Sequence, residues 1–410
     1  MTSAVTHRID APDDCYASDR NTPMKSFLAF LFIFSLCVAS ASAADKPVSA
    51  TITLTSPSDY QVFQRQTRSA GKIVVEGTVN IPAKSTAAKP DRLQARVTGN
   101  SLTGEWQALP FDARVPRFRG EVTVPVGGWY KLDVRLSVSE KILAEAVVEH
   151  FGVGEVFVIA GQSNSGNYGS EKQTTQSGLV AAFGGTGWQL ANDPQPGAGG
   201  GGGSFMPAFG DRSAERFKMP IGIVATGIGA TSVREWLPRS TPIANPPTLT
   251  GNVITVGPER WEAVGHIFAG FTTRLKQLGP NGFRAVLWHQ GESDANQASA
   301  DRTLSGENYR RYLELLIRAT RKEVGWDVPW FVAQASYHSE SDSGSPDIRE
   351  AQKALWTSGV AFDGPDTDSL RAEYRSGVHF NGEGLRKHGR MWADKVGPWL
   401  EQRLSEQPSR

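Results

Sequence analysis

From Val153 onward the chain repeats one pattern, and that pattern limits the fold more than any other feature. A short apolar run is followed by a glycine-containing polar turn and then by a segment of helical periodicity. Residues 155–160, 221–226, 284–288 and 330–333 are the apolar runs. Runs of this kind, without polar alternation, suit strands buried on both faces of a parallel sheet. Between them Tyr309, Tyr312, Leu313, Leu316 and Ile317 recur at i, i+3, i+4, i+7 and i+8, with Arg310, Arg311, Glu314 and Arg318 on the opposite face. That is an amphipathic helix. Pro258-Glu259-Arg260-Trp261 reads as the opening of a second helix running to about Lys276, because proline is favoured in a first turn. Alternating strands and helices imply an α/β fold with helices on both faces of the sheet. Ligands of such sheets lie beyond the C-terminal ends of the strands, so the loops there are the places to look for chemistry.

The preceding stretch, residues 47–150, reads differently. Residues 51–54, 73–75 and 121–124 are short β-branched runs bounded by turn formers. In 130–138, Tyr130, Leu132, Val134, Leu136 and Val138 alternate with Lys131, Asp133, Arg135 and Ser137. A small all-β sandwich of immunoglobulin or fibronectin type is expected, acting as scaffold or spacer rather than as a glycan-binding module. A chain of 410 residues has room for both cores.

Ahead of these, Met24-Lys25, the apolar run 27–38 and the small residues 39–44 have the form of a signal peptide, with cleavage expected after Ala43. Residues 1–23 do not resemble any part of a signal, and Met24 is the expected start. The expected destination is the periplasm or the medium, with no membrane attachment after cleavage. Both cysteines, Cys15 and Cys37, precede the cleavage point, so neither a disulfide nor a thiolate metal site is expected in the mature chain. A formal net charge of +1, with no basic tail, argues against a nucleic-acid partner. Oligomeric state is not legible. Residues 174–220, rich in glycine and proline, match no phosphate-binding motif and read as a flexible loop bordering the site.

Three loops after strands carry unusual polar groups. The first is Gly161-Gln162-Ser163-Asn164, where a serine at a strand-to-helix turn can expose its hydroxyl beside its own N–H. Ser165 stands where the G-x-S-x-G elbow has its last glycine, which counts against an ordinary α/β-hydrolase. The second is Gly227-Ile228-Gly229-Ala230-Thr231-Ser232, whose small residues allow close backbone approach. The third, His289-Gln290-Gly291-Glu292-Ser293-Asp294, gathers an imidazole, a carboxamide and two carboxylates. Of seven histidines, His7 lies in the leader, His150 at the domain junction, His266 in a helical pattern, His338 in a polar, solvated loop and His388 on the last helix. His289 and His379 remain as candidates for a general base. His379 lies in Ser376-Gly377-Val378-His379-Phe380, just before that helix.

Taken together and in this order, Gly161-Gln162-Ser163-Asn164, Gly229-Ala230-Thr231 with Trp236, His289-Gln290-Gly291-Glu292-Ser293-Asp294 and Val378-His379-Phe380 resemble the sialate O-acetylesterase-like and acetylxylan-esterase branch of the SGNH hydrolases, carbohydrate esterase family 6. Asp347-Ile348-Arg349-Glu350-Ala351-Gln352 also looks like a recurrent helix of that family. The resemblance spans about residues 153–402. It implies a flavodoxin-like three-layer α/β/α domain that removes acetyl groups from oligo- or polysaccharides without metal or cofactor. Carried over, Ser163 is the nucleophile and His379 the base, and the Ser163 N–H, the Gly229 N–H and the Gln290 side chain form the oxyanion hole. Many relatives place an aspartate three residues before the histidine, where this chain has Ser376. The expected acid is therefore Glu292, with Asp294 in reserve and a Ser–His dyad as a third arrangement. Gln162, Asn164, His289 and Trp236 are expected to shape the site or contact substrate. Two rivals are a non-catalytic carbohydrate-binding protein that keeps an esterase-like fold, and a lipase or thioesterase of the same fold.

Overall fold

The strand Lys141–Gly161 organises the molecule. In this computed structural model, which describes residues 49–82, 89–342 and 344–406, it belongs to two kinds of sheet along its length. Its first part pairs antiparallel with Gly127–Val138. Its last part is fully buried and pairs in parallel with Ile221–Ala225 on one side and Ala285–His289 on the other. Trp330–Gln334 and Phe362–Asp366 extend the parallel sheet beyond Ala285–His289. Val180–Phe183 lies parallel outside Ile221–Ala225 and carries the antiparallel edge strand Trp188–Leu190. Without that added edge pair, the parallel strands run in the order 2-1-3-4-5. The crevice of such a sheet opens where the order reverses, between its first and third strands. Here those strands end at Gly161 and His289.

Alternation within the strands fills two cores. Val156, Val158, Ala160, Val286, Trp288, Trp330 and Val332 pack on one face with α2 (His266–Lys276), α3 (Gly306–Val324) and α4 (Pro346–Thr357). Phe157, Ile159, Ile223, Leu287, Phe331 and Ala333 pack on the other face with α1 (Met206–Phe217) and α5 (Gly382–Ser405). Each fully buried large apolar side chain stabilises by roughly 1.5–3 kcal/mol. The amphipathic pattern around Tyr309 is α3, whose buried residues include Tyr309, Tyr312, Leu313, Leu316 and Ile317. At the other end of the sheet the buried carboxylate of Glu155 receives Arg65 Nε at 2.6 Å, Arg284 Nε at 2.6 Å and Gln64 Nε2 at 2.8 Å.

All described residues before Gly152 are in strands or loops. Thr51–Ser56, Ala70–Asn80 and Arg117–Pro125 form one antiparallel sheet. Arg92–Gly99, Gly127–Val138 and the first part of Lys141–Gly161 form another. Residues of both, among them Ile73, Val75, Val122, Leu93, Leu132 and Val134, share a third apolar cluster. The described residues between 49 and 406 belong to one compact unit, and the long strand crosses residues 150–153 without a break. The expected upstream extension 1–23 and signal peptide 24–43 lie outside the described residues.

Two local expectations are corrected. Residues 258–263 do not open a helix: Val253–Gly257 and Arg260–Ala263 form an antiparallel hairpin, and α2 begins only at His266. Pro258 and Glu259 are its turn, with φ of 50° at Glu259. Proline followed by a positive-φ residue is the type II turn pattern, which a helix-start reading of proline does not separate. The segment 174–220 is not a plain flexible loop. It holds two sheet strands and α1, and Phe205, Met206 and Phe209 anchor it in the core. The glycines between them, at 184, 185, 187, 197 and 199–203, hid these short elements in the sequence.

Candidate active site

The three polar loops meet at the crevice. Gly161 ends the first strand with φ of 127°, and a Cβ there would stand 2.1 Å from the His289 carbonyl oxygen. Only glycine lets the two strand ends approach so closely. The chain then turns through the one-turn 3-10 segment Ser163–Ser165, held by Ser165 N–H donating to Gln162 O at 2.8 Å and Gly166 N–H to Ser163 O at 2.8 Å. Ser163, 7% exposed, faces a cavity of about 450 Å³. Gln162, Asn164, Gly229, Glu292 and His379 line the same cavity.

His379 is placed by a clamp on the residue before it. The Val378 carbonyl accepts from Asn164 Nδ2 at 3.2 Å and from Arg375 Nη1 at 2.8 Å. Arg375, 8% exposed, also donates to the carbonyls of Leu370 (2.5 Å) and Thr367 (3.1 Å). Its guanidinium lies 4.0 Å from the Tyr337 ring centre and 4.1 Å from that of Phe380. Asn381 caps α5 two residues beyond His379, its Oδ1 accepting from Gly384 N at 2.9 Å. The His379 imidazole stacks on Tyr168, centroids 5.5 Å apart. Burial holds its pKa below the usual histidine value; Glu292 opposes that shift and Arg375 adds to it. An imidazole so placed is neutral and able to accept a proton near neutral pH.

Glu292 is buried and accepts from Asn164 Nδ2 at 3.0 Å through Oε1, while its Oε2 has no hydrogen-bond partner among the described residues. Burial raises its pKa, and the Asn164 bond, Arg375 and His379 lower it. Asn164 thus joins the serine turn, the acidic side chain and the histidine loop through one amide. The N–H of Gly229 makes no hydrogen bond among the described residues, and a Cβ there would lie 2.3 Å from Tyr168 Oη. That N–H is free to serve an oxyanion at the cavity wall.

Four expected site residues are elsewhere. Gln290 is fully buried, its Nε2 donating to Asp294 Oδ2 at 2.7 Å and to Thr231 O at 3.2 Å, so its amide does not face the cavity. Asp294 is fully buried too. It receives Ser232 Oγ at 2.5 Å, Val233 N at 2.9 Å and Arg234 Nη2 at 3.1 Å, a closed network that does not line the cavity. Trp236 is a core residue, packed edge-on against Trp288 at 5.2 Å with its Nε1 donating to Thr231 Oγ1 at 2.9 Å. His289 is fully buried beside His388, ring centroids 4.9 Å apart. Its Nε2 lies 2.9 Å from Thr367 Oγ1. The Thr367 hydroxyl donates to Gln334 O at 2.8 Å, so it accepts from His289 and places that proton on Nε2. Burial lowers the His289 pKa to about 3. Gln162 lines the cavity, but its Oε1 is held by Ser293 N at 3.0 Å, which ties the first loop to the third.

Sequence reasoning passed over Tyr168, Tyr337 and Arg375. It also placed His338 in solvent, whereas it is half-buried in the cavity wall. The remaining wall comes from Ala230, Thr248, Leu249, Ser293, Gln297 and Val378, with Tyr168 and Tyr337. No group of three or more histidine, cysteine or acidic side chains able to hold a metal occurs among the described residues.

A cavity at the sheet's reversal point, lined by serine, histidine and a buried carboxyl, is the architecture of a hydrolytic enzyme. Residues 153–397, more than half of the chain, match the family described as carbohydrate esterase, sialic acid-specific acetylesterase, and the chain belongs to that family. It is a carbohydrate O-acetylesterase. No curated protein matches. Among solved structures it is similar to a carbohydrate acetylesterase from Xanthomonas citri (19% identity, 82% of this chain and 72% of that one, TM-score 0.47). It is also similar to a protein from Arabidopsis thaliana (19%, 60% and 98%, 0.43) and to NanS (15%, 62% and 98%, 0.40).

Proposed function

We propose that the protein is an exported serine esterase of the SGNH type that removes O-acetyl groups from carbohydrate through an acetyl-enzyme on Ser163. The observation that carries this reading is that Ser163, His379 and Glu292 line one cavity, with Asn164 tying Glu292 to the histidine loop and Glu292 Oε2 buried with no hydrogen-bond partner among the described residues. His379 takes the Ser163 proton as the oxygen attacks the acetyl carbonyl, and the negative charge forms against the N–H groups of Ser163 and Gly229. The sugar hydroxyl leaves with the proton held by His379. Water, deprotonated by the same imidazole, then attacks the acetyl-enzyme and releases acetate. Glu292 stabilises the imidazolium formed in both steps. The closed network around Asp294 favours Glu292 for this role, and the engaged amide of Gln290 favours an oxyanion hole made of the two backbone donors.

Within this reading, residues 24–43 direct export, residues 47–150 are a scaffold domain and residues 153–402 form the catalytic domain. The strand shared across the junction supports the scaffold role. An organophosphate that traps serine hydrolases tests the mechanism. It should label Ser163 stoichiometrically in the wild type and leave Ser163→Ala unlabelled; label on another residue refutes the assignment. N-terminal sequencing of the mature protein tests export, with Ala44 expected first.

A further inference from the structure

The wall of the cavity bears on which sugar is taken. Beyond the reacting groups it is built from Tyr168, Ala230, Thr248, Leu249, Ser293, Gln297, Tyr337, Val378 and the half-buried His338, and among the described residues no lysine or arginine joins them. We propose that the site selects an uncharged O-acetylated sugar and discriminates against sugars that carry a carboxylate, the sialic acids named in the family's description among them. This rests on the esterase reading above and specifies its substrate class.

Three guanidinium groups lie behind the wall, and each is already committed. Arg375 donates to the carbonyls of Leu370, Thr367 and Val378 and is flanked by the Tyr337 and Phe380 rings. Arg302 Nη1 donates to the carbonyls of Thr248 at 2.8 Å and Pro247 at 3.3 Å, behind the loop that supplies Thr248 and Leu249. Arg234 is fully buried against Asp294. Among the described residues no lysine or arginine lines the cavity itself. The one carboxyl in the wall, Glu292, belongs to the reacting groups and would repel a second carboxylate when ionised. A sugar carboxylate entering here would lose water without gaining a lysine or arginine partner, only the imidazoles of His338 and His379, which an experiment above the ordinary histidine range leaves neutral. A neutral sugar meets what it needs. Tyr168 and Leu249 offer apolar contact, and Ser293 offers an uncharged hydroxyl.

The comparison that isolates charge uses one sugar in two forms: O-acetylated N-acetylneuraminic acid and its carboxyl methyl ester. Acetate release is followed at about pH 8, where an ordinary imidazole is neutral. O-acetylated xylo-oligosaccharides serve as an uncharged reference and p-nitrophenyl acetate as a measure of esterase competence. The methyl ester is expected to exceed the free acid in kcat/KM by about tenfold or more, the ratio given by a 1.4 kcal/mol difference. Leu249 is 47% exposed at the cavity mouth, and Leu249→Arg should narrow that ratio by supplying the missing cation. Equal rates on acid and ester, or a preference for the acid, overturn the charge proposal and leave the esterase reading intact. Failure to hydrolyse p-nitrophenyl acetate overturns the esterase reading and this proposal with it.

Discussion

The His289→Gln substitution should make the fold more resistant to acid, and the size of the effect follows from the burial of the imidazole. His289 is fully buried with its pKa lowered to about 3, against an ordinary histidine value of 6.5. Above the ordinary value neither the folded nor the unfolded chain protonates it, and it makes no pH-dependent contribution. As the pH falls below that value the unfolded chain binds a proton that the folded chain refuses, so stability is lost until about pH 3. The loss is about 1.4 kcal/mol per pH unit, or about 2 kcal/mol at pH 5 and about 5 kcal/mol over the whole window. Glutamine removes this titration while its amide can still reach Thr367. It gives up ring contacts with His388 and Phe380, a cost that does not depend on pH. Urea unfolding of wild type and variant at about pH 7.5 and pH 5 separates the two effects. The wild type should lose about 2 kcal/mol more than the variant between the two conditions. Equal losses would refute the claim that His289 is a buried neutral strut and reopen its role at the cavity.

Further outcomes follow from the same geometry. Glu292→Gln keeps an acceptor for Asn164 and should leave melting nearly unchanged while kcat on an acetyl ester falls by about 10⁴, as when a triad acid is neutralised. Asp294→Ala should behave in the opposite way in an unfolding experiment. It strands the fully buried Arg234 and should cost about 3–5 kcal/mol of stability. Arg375→Met removes a cation that lowers the pKa of both Glu292 and His379, so the acid limb of the kcat/KM–pH profile should move to higher pH. Arg375→Lys, which keeps the charge, should leave that limb nearer its wild-type position.

The parallel strands and the order of the polar loops were legible because they are local. Unbroken apolar runs mark buried strands, and the residues that follow them reach the crevice through topology alone. That Ser163, Glu292 and His379 line one cavity has this origin. Polar residues within those loops were not separable by the same logic. Gln290 and Asp294 look as reactive in sequence as Glu292, and what sends them inward is a set of partners around Ser232 and Arg234, about sixty residues away. His289 likewise owes its burial to Thr367 and His388. Arg375 was overlooked because an arginine in a polar loop reads as solvated. Its burial depends on the Tyr337 and Phe380 rings and on carbonyls that chain folding brings together. Its place four residues before the candidate base was the one local sign. Tyr168 carried no sign at all, since its contacts with Gly229 and His379 come from distant segments.

The central claim, acetyl transfer through Ser163, is tested most directly by steady-state hydrolysis of an acetyl ester by purified Ser163→Ala beside the wild type. The account predicts a loss in kcat of about 10⁶, the scale seen when a serine nucleophile is removed, with the variant's melting unchanged. A folded Ser163→Ala protein that retains wild-type turnover would contradict it.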